Sequence, residues 1–243
     1  MQGKKMLVVT AHPGDILWRC SGAVAKHTKN GGDVHIVVLT HGIGGEANEL
    51  MALEGMTVKK AKELRERDTQ KAAQILGVSN IEFWDYPDYC FEISQDKVLR
   101  LAAGLRLYKP DLILTHHKKD ILNPDHGNVG HFVNLACEVA SGLGVEIEGT
   151  KPGLDRTPVF GFEPHVTEAN DFEPDIFVDI SEVIEVKREA MSCFEGKKAL
   201  AKSYLERAAL RGGNAKSFGN RNCKYAEAFT MMYPISQYGD FVY

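Results

Sequence analysis

The stretch "KKMLVVTAHPGD", residues 4–15, decides how the rest of the chain is read. Met6 to Thr10 run apolar or β-branched without interruption. A strand with one wet face would alternate, so this one is expected to be buried on both faces, as strands of parallel sheets are. It is followed at once by His12, Pro13, Gly14 and Asp15, where a plain turn needs only the glycine. Open parallel sheets bind ligands beyond the carboxyl ends of their strands. A His and an Asp three residues apart at that point therefore mark a candidate site.

Working outward, apolar runs alternate with segments of helical period. Strands are expected at 34–40, 80–85 and 111–116, then at 157–165 and 175–180. Helices are expected at 21–32, closed by Gly31 and Gly32, and at 57–77, 94–108, 126–140, 181–194 and 197–213. Strand–helix alternation of this kind predicts one α/β domain over residues 1–243. Its architecture is three-layer and Rossmann-like, a mostly parallel sheet with helices on both faces.

Composition narrows the class. The chain has 243 residues, 44% hydrophobic, enough for one sizeable core. A net charge of −4 with no basic stripe argues against a nucleic-acid partner. No apolar run is long enough to span a membrane, and the amino terminus is too short in apolar residues for a signal peptide. The expected setting is the cytoplasm. Cys20, Cys90, Cys137, Cys193 and Cys223 are scattered and contain no C-x-x-C pair, which favours reduced, mostly buried thiols.

Pooling the loops after successive strands gathers His12 and Asp15; His41 and Glu46; Asp85 and Asp88; then His116, His117, Asp120, Asn123, Asp125 and His126. Two imidazoles and a carboxylate from separate loops suit a catalytic zinc site with one position open. His12, Asp15 and His126 are the best such set. A lone His in a loop is usually a surface or cap residue, but three candidate ligands at the same ends of adjacent strands weaken that reading. The same donors also suit other divalent metals.

"VVTAHPGD" resembles the "AHPDD" signature of the PIG-L/LmbE-like superfamily, metal-dependent N-deacetylases of amino-sugar conjugates. "NPDH" (123–126) resembles its second signature, "HPDH". "GGE" (44–46) and the helix "LRERDTQKAAQILGV" with Arg65 match further landmarks, in order, over the first 140 residues. The resemblance implies zinc on His12, Asp15 and His126; Asp125, from its place beside His126, is expected to support the site. It also exposes two departures. The hydrolytic base of those deacetylases, the first Asp of "AHPDD", is here Gly14, and the first His of "HPDH", on the oxyanion side, is Asn123. Positioned acid–base help is worth about 10²–10⁴ in rate, so its loss argues against ordinary amide hydrolysis.

The carboxyl-terminal half, with "VFGFEPH" (159–165) and "YAEAF" (225–229), resembles a branch of that superfamily that also lacks this base. These are the 4-oxalomesaconate hydratases of bacterial gallate and protocatechuate degradation. That resemblance implies a zinc hydratase with Glu46 and His165 as the acid–base pair, acting on a polycarboxylate. Arg65, Arg211 and Arg221, with Asn123, are the expected substrate contacts, because guanidinium binds carboxylate bidentately. Arg207 is expected on a solvated helix face, Glu163 in a structural role, and a homo-oligomer as the assembly. The alternatives are an N-deacetylase in which Glu46 replaces the missing base, and a metal-binding relic without catalysis.

Overall fold

The computed structural model describes residues 3–233. The first strand, β1 (Lys5–Thr10), shows how the layers arise. Met6 and Val8 point into one apolar cluster, and Leu7 and Val9 into another on the opposite face. The next strands, β2 (Asp33–Thr40) and β3 (Asn80–Tyr86), pair parallel on one side of β1. On the other side lie β4 (Leu112–His116) and then β5 (Val159–Phe162), also parallel. The sheet is completed by β6 (Ile176–Asp179) and β7 (Ala226–Met231), in the order β3-β2-β1-β4-β5-β7-β6. β7 runs antiparallel to both of its neighbours.

Helices cover both faces. α1 (Ser21–Lys29), α3 (Val58–Ile75), α6 (Ile184–Ser192) and α7 (Lys198–Ser217) contribute to the cluster around Val8. α4 (Gln95–Tyr108) and α5 (Pro124–Ser141) contribute to the one around Val9. A four-residue helix, α2 (Asn48–Met51), follows the loop after β2. Among the described residues no helix is long and apolar enough to cross a membrane. All five cysteines are free; Cys20, Cys137 and Cys223 are buried and Cys90 is exposed.

The strand order reverses between β1 and β4, so their carboxyl-end loops part there and leave a crevice. Two expected boundaries shift in ways that matter for it. The helix expected at 126 begins at Pro124, because Asn123 caps it by accepting from the Asp125 amide at 3.1 Å and proline is favoured in the first turn. The helix expected at 21–32 ends at Lys29, and Gly31 takes φ +78° to turn the chain into β2.

Among the elements not expected from the sequence, two bear on the site. "AEAFTM" (226–231) is β7, a strand buried for most of its length. Ile16–Cys20 form a single π-helical turn between the Asp15 loop and α1. Such turns are rare and cluster at functional sites. This one is held from below by the buried Lys187 of α6. Its ammonium donates to Leu17 O (2.9 Å), Trp18 O (3.0 Å), Ser21 Oγ (3.1 Å) and Glu227 Oε1 (2.8 Å). Glu227 in turn accepts from the Gly22 and Ala23 amides at the start of α1, at 2.8 and 2.7 Å. Removing one member of a buried ion pair strands the other, at a cost of about 3–5 kcal/mol. Lys187→Met should therefore lower urea-measured stability by about that much, and adding Glu227→Gln should recover part of the loss. A Lys187→Met protein as stable as the parent would show that the pair contributes nothing net.

Candidate metal centre and active site

His12 and Asp15 lie in the loop after β1, and His126 in the first turn of α5. All three are buried. His12 Nδ1 lies 3.3 Å from His126 Nε2 and 3.4 Å from Asp15 Oδ2, and His126 Nε2 lies 3.4 Å from Asp15 Oδ1. Donors about 2.0–2.1 Å from a tetrahedral zinc are separated from one another by roughly 3.3–3.4 Å. The three donors thus already stand at the spacing a tetrahedral ion needs, and the residues fit a divalent metal.

The outward nitrogens are oriented by carboxylates. His126 Nδ1 meets Asp120 Oδ2 at 2.9 Å, and His12 Nε2 lies 3.4 Å from Asp125 Oδ2. A carboxylate on the far nitrogen fixes the tautomer that leaves the near lone pair for metal. Asp125 therefore supports His12 rather than its neighbour His126. It is held by the amides of Tyr89 and Phe91.

Arg19, on the π-helical turn, is buried among these groups. It donates to Asp15 Oδ1 (3.2 Å), to the Glu163 carbonyl (2.8 Å) and to Asp120 Oδ2 (3.4 Å). His116 stacks on His126 with ring centroids 4.1 Å apart, and its Nε2 accepts from the Ala11 amide at 3.0 Å.

The electrostatics follow from this packing. Burial alone would lower His12, but the carboxylates of Asp125 and Asp15, each 3.4 Å from its ring nitrogens, outweigh that and raise it to about 10. Burial would raise Asp15, yet the charge of His126, with His116 and His12 beside it, holds its carboxyl well below the usual range. His116 goes the other way, down to about 3, through burial and the charge of His126.

Around this centre the structure brings together several of the expected residues. Glu46 sits in the loop after β2, where Gly42 takes φ +65°; a Cβ there would lie 3.0 Å from Glu46 Cβ and 3.3 Å from His12. The glycine lets the carboxylate loop lie against the metal loop. Asn123 Nδ2 donates to Glu46 Oε1 at 3.1 Å, and Arg65 Nη2 donates to Glu46 O at 2.8 Å. Gly44 N donates to Asp88 (2.7 Å), which ties the loop down. His165, after β5, lies beside His126 with ring centroids 6.4 Å apart. Burial and the nearby Arg19 charge push it down to about 4.

Others do not join the cluster. Arg211 is paired with Glu163 and bonds Asn214 at 3.0 Å. Arg221 is exposed in the turn between α7 and β7. Arg207, expected on a solvated face, instead clamps the loop carrying His165 by donating to Pro164 O (2.7 Å) and His165 O (2.5 Å). Of the unassigned histidines, His41 bridges Glu66 (2.7 Å) and Asp85 (2.8 Å), and His117 meets Lys119 O.

Gly14 carries a finding the sequence did not suggest. A Cβ there would lie 2.7 Å from Trp18 Nε1. Trp18 is buried, stacked on Tyr204 and edge-on to Phe194. The place of the absent side chain is filled by an indole.

His–Asp–His at a topological switch point, backed by carboxylates and flanked by Glu46 and His165, is the arrangement of a metal-dependent enzyme. The family described as GlcNAc-PI de-N-acetylase, PIG-L, matches residues 7–137, and the chain belongs to it. It is 37% identical to the 4-oxalmesaconate hydratase of Pseudomonas putida, over 95% of this chain and 90% of that one. It is 28% identical to the diacetylchitobiose deacetylase of Thermococcus kodakarensis, over 92% and 81%. The crystal structure of GalB, the 4-carboxy-2-hydroxymuconate hydratase of Pseudomonas putida KT2440, superposes with a TM-score of 0.90 at 36% identity. It covers 98% of this chain and 100% of that one.

Proposed function

We propose that the chain is a zinc-dependent hydratase that adds water across the carbon–carbon double bond of an unsaturated keto-polycarboxylate, 4-oxalomesaconate. One observation carries the choice between hydration and amide hydrolysis. The metal set, Glu46 and His165 are kept together, while the hydrolytic-base position is glycine with Trp18 packed into it. The near full-length likeness to the Pseudomonas putida hydratase supports the same reading.

Bound zinc supplies Lewis-acid polarisation of the keto acid. Glu46 and His165 are the acid–base pair that faces the substrate beside the metal. Arg65 seats a carboxylate: its guanidinium is buried, and its one protein hydrogen bond among the described residues goes to a carbonyl rather than to an acid. It stacks on Phe194 and, with Lys197, joins the metal crevice to a cleft of about 560 Å³ between α3 and the α6–α7 connection. Asn123 orients Glu46 by donating to its carboxylate. Arg211 and Arg221, at their observed positions, take no part in this reading. The proposal further holds the chain to be one domain, cytoplasmic, homo-oligomeric and directed at a small molecule.

The test is turnover of 4-oxalomesaconate and of N,N'-diacetylchitobiose by the zinc-loaded protein and by Gly14→Asp. Expected is loss of the substrate's conjugated absorbance with the parent, no deacetylation by either protein, and weaker hydration by Gly14→Asp because the new side chain must displace Trp18. Robust deacetylation by the parent would promote the hydrolase instead.

A further inference from the structure

Resting on the hydratase reading, we propose that Tyr204 holds His165 in its Nε2–H tautomer, so that His165 meets the substrate as a hydrogen-bond donor and Glu46 is left as the base. Tyr204 lies on α7 and is buried, with its ring stacked on Trp18. Among the described residues its hydroxyl has one hydrogen-bond partner, His165 Nδ1 at 2.9 Å. A buried O–H needs an acceptor. If Nδ1 carried the proton, the phenol would have nothing to donate to, so Nδ1 accepts. A neutral imidazole has one donor and one acceptor nitrogen, which puts the proton on Nε2.

An Nδ1 that accepts from the Tyr204 hydroxyl bears no proton, so the ring is the neutral imidazole. The hydroxyl stays protonated because burial raises Tyr204. Arg207 fixes the rest. It donates to the carbonyls of Pro164 and His165, and its guanidinium lies 5.1 Å from the Tyr204 ring centroid. His165 Nε2 makes no protein hydrogen bond among the described residues and is not a buried orphan, so it is open to a ligand.

The reaction balances without a further reactant. Water loses one proton to the Glu46 carboxylate, and its oxygen bonds to one alkene carbon. The π pair moves to the other carbon and on to the conjugated carbonyl oxygen, giving an enolate. The proton held by Glu46 then returns to that second carbon. His165 Nε2–H donates to the enolate oxygen as its charge grows, an interaction stronger in the transition state than in the substrate. Tyr204 touches none of these atoms and is a positioning residue.

Nitrogen-15 NMR of the histidine-labelled, zinc-loaded protein reads the tautomer directly. Expected is a protonated Nε2 and a bare Nδ1 on His165, with the two tautomers mixing in Tyr204→Phe. Tyr204→Phe should also lower kcat about three- to tenfold with KM little changed. His165→Gln keeps an N–H near the Nε2 position but cannot act as a base. It should retain activity within about tenfold of the parent, while His165→Ala loses about 10²–10³, the usual cost of one oxyanion donor. A protonated Nδ1 in the parent overturns the proposal, and so does a Gln variant as inactive as Ala. Absence of hydration by the parent would count against the hydratase reading alone, because the tautomer is measured without turnover.

Discussion

His126→Ala should emerge from dialysis against dilute metal buffer with most of its zinc gone, while the parent retains close to one ion per chain. The imidazole supplies one of three protein donors, and a site left with His12 and Asp15 has lost the contact that closes it against α5. Asp120→Asn should be milder. The substitution keeps the shape around His126 Nδ1 and removes the charge 2.9 Å from it. Replacing such a partner costs about 10–100-fold in metal affinity. Uptake should also strengthen with rising pH, because the carboxylates hold His12 protonated to about 10 in the metal-free chain and a metal must displace that proton. Elemental analysis after matched dialysis decides the matter: equal zinc in parent and His126→Ala removes His126 from the ligand set.

Much of this site was legible because its chemistry follows strand ends. The continuous apolar run before His12 identifies a strand buried on both faces, and the loop after it must then lie at the carboxyl edge beside the loop after β4. Recognising two such loops is enough to pair His12 and Asp15 with His126. The orienting shell was less readable. Arg19 stands four residues from Asp15, a spacing that puts both on one side of a helical turn, but a buried arginine is rare enough that pattern alone points it to solvent. Asp120 was visible as a loop carboxylate; nothing in the sequence distinguishes it from Asp125, and only the three-dimensional path assigns one to His126 and the other to His12. The places of Arg207 and Arg211 were hard to read for a related reason. Which face of α7 meets the loop at 163–165 depends on packing, so Arg207 and Arg211 meet that loop rather than solvent or the crevice. Trp18 likewise stands four residues from Gly14, but the sequence does not mark residues 16–20 as a helical turn, so that spacing had no face to act on.

Glu46→Gln and His165→Ala should each keep fold and metal yet lose most of the hydration rate. Neither residue belongs to the metal set, and 119 positions separate them in the sequence (165 − 46). The structure nonetheless brings both to His12 and His126: Glu46 across the Gly42 turn, His165 from the end of β5. Glutamine preserves the length of Glu46 and its contact with Asn123 while abolishing the base, so its expected loss is about 10²–10⁴ in kcat. His165→Ala removes the donor and leaves the Tyr204 hydroxyl without its acceptor, which adds a modest loss of stability to a rate loss of about 10²–10³. The informative variant is the double. If Glu46 generates the enolate that His165 stabilises, a protein without the base forms little enolate for the donor to act on, and removing the donor as well changes little. The double variant should then be far less impaired than the product of the two single losses, as groups acting in one step are. Losses that multiply would mean that the two side chains act in separate steps. A single variant of full activity, with zinc content and thermal stability unchanged, would remove that residue from the mechanism.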